Sequence, residues 1–235
     1  INDITSSVKP LVELVRDKNA YEEDFIIGSS DALELADSST VLVVVDVNKP
    51  SITECPALIK SCRTVVVLDH DRQSSEVIEN ATLSYVEPYA SSTCEMVAEV
   101  LQYISGGNVK VKSNEADCIY SGIMVDTNNF TAKTGVRTFE AAAFLRRCGA
   151  DVTRVRKMFR DGAAEYKAKA ETVRNAEIYK NAYAMGICPT EGLESPTEIG
   201  AQAANELLGI NGIKASFVAT EYNGKIYISA RSIDE

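Results

Sequence analysis

The chain has one histidine, His70, in 235 residues, and none of its six cysteines forms a CxxC pair. Cys55, Cys62, Cys94, Cys118, Cys148 and Cys188 are scattered, which reads as reduced thiols of a cytosolic protein and not as a disulfide framework. No apolar run approaches the roughly 20 residues that span a bilayer, and no basic stretch leads into an apolar one. The expectation is therefore a cytoplasmic segment with no export signal and no direct membrane contact. Positive charge is also short: 24 Lys and Arg against 34 Asp and Glu leave a net charge of −10. That disfavours duplex nucleic acid, whose backbone needs Lys and Arg to neutralise it. It leaves room for a small anionic substrate, because bound metal ions reverse the local field. Neither GxGxxG nor GK[ST] surrounds Gly106-Gly107, so that pair reads as a helix stop and not as a phosphate loop. Repeats and low-complexity tracts are absent. The chain opens on Ile1 and not on Met, which suggests a piece of something longer.

What is present is a well-patterned core: 45% of residues are hydrophobic, ample for burial. Ser7 to Asp17 reads as a helix with Leu11, Leu14 and Val15 on one stripe. Thr40 to Asp46 (TVLVVVD) and Thr64 to Asp69 (TVVVLD) are β-branched runs of the kind a doubly covered parallel strand shows. A helix over Ile52 to Lys60 between them suits a right-handed βαβ crossover. A short strand (Leu83 to Val86) and an amphipathic helix (Ser92 to Ile104) follow. Helices are then predicted over Ala116 to Thr127, Phe139 to Cys148, Val152 to Phe159 and Ala163 to Asn181. In the last of these Lys167, Lys169, Glu171, Arg174, Glu177 and Lys180 read as a solvated face. A strand (Ala184 to Cys188), a helix (Thr197 to Leu208) and a hairpin through Asn223-Gly224 close the chain. The fold class is α/β: a mostly parallel sheet flanked by helices, a helical linker and a smaller C-terminal α/β domain.

Two strands end on carboxylates, Asp46 and Asp69, and sites in open parallel sheets gather at that edge. Each Asp alone is equally well an N-cap or turn residue. Together they flank His70, and Asp126 adds a third carboxylate at the end of an apolar IMV stretch inside a helical pattern, where Asp is locally unfavourable. Carboxylate oxygens with an imidazole suit Mn²⁺ or a similar divalent ion that activates water and clamps a phosphate.

The segments VVDVNKP, VVVLDHDR and GIMVDTNNF, in that order, resemble metal motifs of the DHH phosphoesterases. YVEPYASSTCEMVAEVLQY and TGVRTFEAAAFLRRCGAD are similar to the branch that holds cyclic di-AMP phosphodiesterases, usually attached to membrane-anchored sensors. The resemblance implies a DHH core over residues 1–155, a linker over 156–181, and a partial DHH-associated substrate domain over 182–235. It implies a two-metal Mn²⁺ site, with Mg²⁺ or Co²⁺ as alternatives, acting on a small cyclic dinucleotide to give pApA. Asp46 would bridge the ions, His70 would bind one with Asp69 orienting its ring, and Asp126 would complete the shared set. A hydroxide would then attack phosphorus in line. Substrate contacts are expected from Asp71, Arg72, Asn48, Ser229 and Arg231, and a homodimer is expected. A membrane-anchored bacterial parent is implied as well.

The sequence also departs from that family. Its first Asp-x-Asp motif and its glycine-rich His loop are absent from these residues, and Asp71 stands where a second histidine contacts the phosphate. A carboxylate about 4 Å from a phosphate repels it by on the order of 4 kcal/mol at an effective dielectric near 20. The expectation is impaired activity in this segment. The alternatives are a catalytically silent nucleotide-binding module and a soluble oligoribonuclease or nucleotide phosphatase of the same family.

Overall fold

Parallel pairing of three β-branched strands organises the first part of the chain. The structure, a computed structural model, describes residues 4, 8–16, 21, 26–107 and 109–233. It divides into two units, Ile1–Phe159 and Arg160–Glu235.

In the first unit β1 (Val41–Val45), β2 (Thr64–Asp69) and β3 (Leu83–Val86) form a parallel sheet in the order β1-β2-β3. The register sets Val44 against Val67 and Val45 against Leu68, so both carboxylate-bearing ends reach the same edge. One face is closed by α3 (Pro56–Ser61) and its surroundings, with Ile59, Cys62, Val65, Val67 and Ile78 buried together. The other face differs from expectation. Val41, Val43 and Val45 are 57%, 51% and 48% exposed, so among the described residues β1 is covered on one side only. The predicted helix over Ile52 to Lys60 is also shorter. Pro50–Ile52 is a 3₁₀ turn, and the α-helix starts at Pro56, whose fixed φ suits a first helical position.

Four helices build the main core: α4 (Thr93–Tyr103), α5 (Ser113–Asp126), α6 (Val136–Arg147) and α7 (Val152–Met158). They enclose Ala98, Ala116, Ile123, Ala141, Leu145 and Val155. Gly122 lets α5 approach α4, since a Cβ there would collide with Cys94 Sγ. Two short helices, α1 (Lys9–Val15) and α2 (Ser29–Leu35), precede the sheet. The first lies within the predicted Ser7 to Asp17 helix, whose two end residues fall outside the described ones. The second follows no pattern read above, and none of its residues is buried.

The second unit pairs β4 (Glu177–Tyr179), β5 (Tyr183–Cys188), β6 (Ala215–Tyr222) and β7 (Lys225–Ser232) in sequence order. Only β5 and β6 are parallel, joined through α9 (Pro196–Leu208); the hairpin turns at Asn223 and Gly224, both with positive φ. The predicted helix from Ala163 ends sooner, as α8 (Ala163–Arg174), and Glu177–Tyr179 is strand. Lys169 is not on a solvated face. It is buried, 2.6 Å from Asp161 and 3.7 Å from Glu206. The stretch over 156–181 read as a linker thus holds α8, which packs on α9 and β5. Among the described residues no helix is long and apolar enough to cross a membrane.

Candidate functional site

Asp46 leaves β1 with φ of 61°, a left-handed conformation that Asp tolerates better than most side chains. Its N–H still donates to Leu68 O at 3.0 Å, so the ladder holds while the carboxylate turns out of the strand. His70 follows β2 directly. Its Nε2 lies 3.7 Å from Asp46 Oδ1 and 3.9 Å from Asp126 Oδ2. Three residues far apart in sequence therefore meet at one sheet edge.

Asp126 is the last residue of α5, which ends one residue before the Thr127 predicted. A carboxylate there meets the negative end of the helix dipole, which favours cations. Burial pushes its carboxyl above the ordinary carboxylate range, His70 opposes the shift, and Asp46 adds to it. Asp69 is 1% exposed. Burial raises its carboxyl too, opposed by the backbone N–H of Asp71 and reinforced by the charges of Asp71 and Asp46. That N–H donates to Asp69 Oδ1 at 3.0 Å, so Asp69 orients the corner after β2 through its main chain. Asn48, 4% exposed, closes the corner from the other side by donating from Nδ2 to Asp71 O at 3.2 Å. Both backbone groups of Asp71 are thereby held, and its side chain is exposed, as is that of Arg72.

The remaining predicted residues, Ser229 and Arg231, lie on β7 in the second unit. Ser229 pairs with Val218, and Arg231 Nε donates to Asn205 Oδ1 of α9 at 2.8 Å.

Sequence reading missed the residues behind the site. Thr93, 4% exposed, donates from Oγ1 to Asp46 Oδ1 at 2.8 Å. Glu95, 1% exposed, accepts from Ser91 Oγ at 2.5 Å, Ser91 N at 3.3 Å and Thr138 Oγ1 at 2.7 Å. Ser92 caps α4 by accepting from Glu95 N at 3.0 Å. The Ser91-Ser92-Thr93-x-Glu95 order is a capping signature, visible in the sequence as a helix start but silent about the reach to Asp46. Cys94 sits nearby, its thiol pushed up to about 12 by burial and then by Asp126 and Asp46.

The trio suits a small divalent ion in donor type. Ligands at about 2.1 Å from an octahedral ion stand roughly 3.0 Å apart when adjacent and 4.2 Å when opposed. The separations of 3.7 and 3.9 Å fall within that span. The set is open, because among the described residues no group of three His, Cys, Asp or Glu is gathered tightly enough to hold an ion as it stands.

Residues 3–123 match the DHH family, N-terminal domain. The chain is 37% identical over 238 residues to the cyclic-di-AMP phosphodiesterase GdpP of Bacillus subtilis, covering all of this chain and 36% of that protein. It is 40% identical over 211 residues to the cyclic-di-AMP phosphodiesterase PdeA of Listeria monocytogenes, covering 89% of this chain and 32% of that protein. The chain thus spans about a third of the length of these relatives. A crystal structure of an exopolyphosphatase-related protein from Bacteroides fragilis shares the fold, with a TM-score of 0.75, 20% identity, and coverage of 94% of this chain and 67% of that one. With the family pattern matching more than half of its residues, the chain belongs to the DHH family.

Proposed function

We propose that the full-length protein is a divalent-metal-dependent phosphodiesterase that hydrolyses cyclic di-AMP to pApA. In this reading Asp46, His70 and Asp126 are this chain's ligands, and Mn²⁺ is the ion, with Mg²⁺ or Co²⁺ able to replace it. The observation that carries the proposal is the meeting of these three side chains at the carboxyl edge of a parallel sheet. The names of the two relatives support the substrate.

An ion bound there lowers the pKa of water and neutralises phosphoryl oxygens. The chain's own residues supply the frame. Asp69 and Asn48 fix the corner that follows His70, and the turned backbone of Asp46 directs its carboxylate off the sheet edge. The exposed Asp71 and Arg72 face solvent beside this corner, where Arg72 can meet a phosphate. The proposal places the protein at the cytoplasmic side of a bacterial membrane, anchored by segments outside these residues.

The test is Mn²⁺-dependent conversion of cyclic di-AMP to pApA by the full-length protein, followed by chromatography. Asp46→Ala is expected to lower turnover by at least about 100-fold while circular dichroism stays unchanged. Turnover within a few-fold of wild type in that variant removes the proposed site.

One observation favours a second reading, a nucleotide-binding module without turnover: the acidic side chain at position 71, next to His70. Calorimetry with cyclic di-AMP separates the two. Binding without hydrolysis that persists after Asp71→His supports the silent module, and recovered hydrolysis on that exchange excludes it.

A further inference from the structure

Thr93 is the first residue of α4, and its side chain reaches across to the end of β1. The hydroxyl donates to Asp46 Oδ1 at 2.8 Å, and that same oxygen faces His70 Nε2 at 3.7 Å. The donor is almost wholly enclosed, at 4% exposure, whereas the Asp46 side chain is 65% exposed. An exposed carboxylate on a left-handed residue has no neighbouring strand geometry to choose its rotamer. One buried hydroxyl makes that choice.

The hydroxyl is itself fixed. Ser92 caps the helix at Glu95 N, and Glu95 is pinned by Ser91 and by Thr138 of α6. The position of Thr93 is therefore set by a buried polar network, not by a flexible loop. Its bond occupies one lone pair of Oδ1, the same oxygen that stands 3.7 Å from His70 Nε2.

We infer that Thr93 is a positioning residue for metal binding: its hydroxyl holds the Asp46 carboxylate in the orientation from which it and His70 share a divalent ion. The inference rests on the metal-site reading above. Outer partners of this kind, when removed, typically weaken metal affinity by about 10–100-fold.

The test is Mn²⁺ affinity of the full-length protein, read from the free-ion electron paramagnetic resonance signal, with Thr93→Val, Thr93→Ser and Asp46→Ala. Thr93→Val keeps the shape and loses the donor; it is expected to weaken Mn²⁺ binding about 10-fold or more. Thr93→Ser keeps the donor, loses only the γ-methyl that Thr93→Val retains, and is expected to bind within about 3-fold of wild type. In the Asp46→Ala background Thr93→Val is expected to have no further effect, because the carboxylate it orients is gone. Wild-type affinity in Thr93→Val alongside a loss in Asp46→Ala overturns the inference and leaves the metal site standing. An equal loss in Thr93→Ser and Thr93→Val, or a loss in Thr93→Val that persists without Asp46, assigns Thr93 to packing and also overturns it. Unchanged affinity in Asp46→Ala overturns the metal site itself, and the inference with it.

Discussion

Replacing Glu95 by Ala should be among the most damaging single changes to the first unit, although the residue touches neither Asp46 nor His70. Its carboxylate is 1% exposed and accepts three hydrogen bonds, from Ser91 Oγ, Ser91 N and Thr138 Oγ1. Arg137 Nε stands 3.9 Å from its other oxygen. Hydrogen bonds to a charged group contribute about 1.5–3 kcal/mol each, so the gross loss is roughly 5–9 kcal/mol. Part is returned, because the unfolded chain no longer gives up a hydrated carboxylate on folding. Breaking one side of a buried charged network costs about 3–5 kcal/mol net. For a domain of about 150 residues that lowers Tm by on the order of 10 °C. Equilibrium urea unfolding measures it directly through the shift in midpoint at constant m-value. Glu99 supplies the control. It grips Arg137 through both oxygens at 2.7 Å but is partly exposed, so Glu99→Ala should cost only about 1 kcal/mol. If Glu95→Ala costs no more than Glu99→Ala, the buried network does not anchor α4, and the rigid seat argued for Thr93 fails with it.

Asp126→Asn should raise the Tm of the metal-free protein at neutral pH. A carboxyl raised by burial binds its proton more tightly folded than unfolded. The fold is therefore favoured below the unfolded carboxyl range and loses that contribution as pH rises through the folded pKa. The gain from Asp126→Asn should accordingly vanish at low pH; a gain that grows on acidification refutes the sign, and scanning calorimetry across pH reads it. Gly122→Ala forces a Cβ against Cys94 Sγ and should cost about 1–3 kcal/mol, as overpacking does. Adding Cys94→Ala should recover most of the loss in urea unfolding, and a loss that survives in the double variant refutes the clash. Lys169→Met removes the cation between Asp161 and Glu206 and should cost roughly 3 kcal/mol, since it strands a partly buried carboxylate. A melting temperature within a degree of wild type would return Lys169 to the solvated face first read for it.

Much of this was legible because the signals are local. Continuous β-branched runs gave β1 and β2 with the acidic residue following each valine run, and Asn-Gly gave the second-unit hairpin. The errors arose where long-range packing overrides local pattern. Lys169 carries the same helical spacing as its exposed neighbours; only the approach of Asp161 and Glu206 makes it a buried cation. The end of α5 beside Asp126, by contrast, is legible to within a residue, and Thr127 turns the chain there by bonding Ile123 O and Phe130 N. The reach of Thr93 to Asp46 crosses 47 positions, and no periodicity within α4 encodes it.

The charge balance at the sheet edge supports the proposed metal site. Asp46, Asp69, Asp71 and Asp126 gather about a single histidine, and two of these carboxyls, Asp69 and Asp126, are raised by burial and by the charges of Asp46 and Asp71. One of them also ends a helix, where the dipole opposes it. A purely structural role gives no return for this arrangement, since each carboxylate could be an amide with the same hydrogen bonds and less repulsion. Behind them Glu95 is held by three donors and Asp69 by the corner it holds, while Asn48 Oδ1 is buried without a partner among the described residues. The oxygens of Asp46 and Asp126 that face His70 carry charge that no cationic side chain among the described residues neutralises closely. A divalent ion there would turn mutual repulsion into shared attraction. The same ion would then stabilise the folded unit, so Mn²⁺ should raise Tm in the wild-type protein and not in Asp46→Ala.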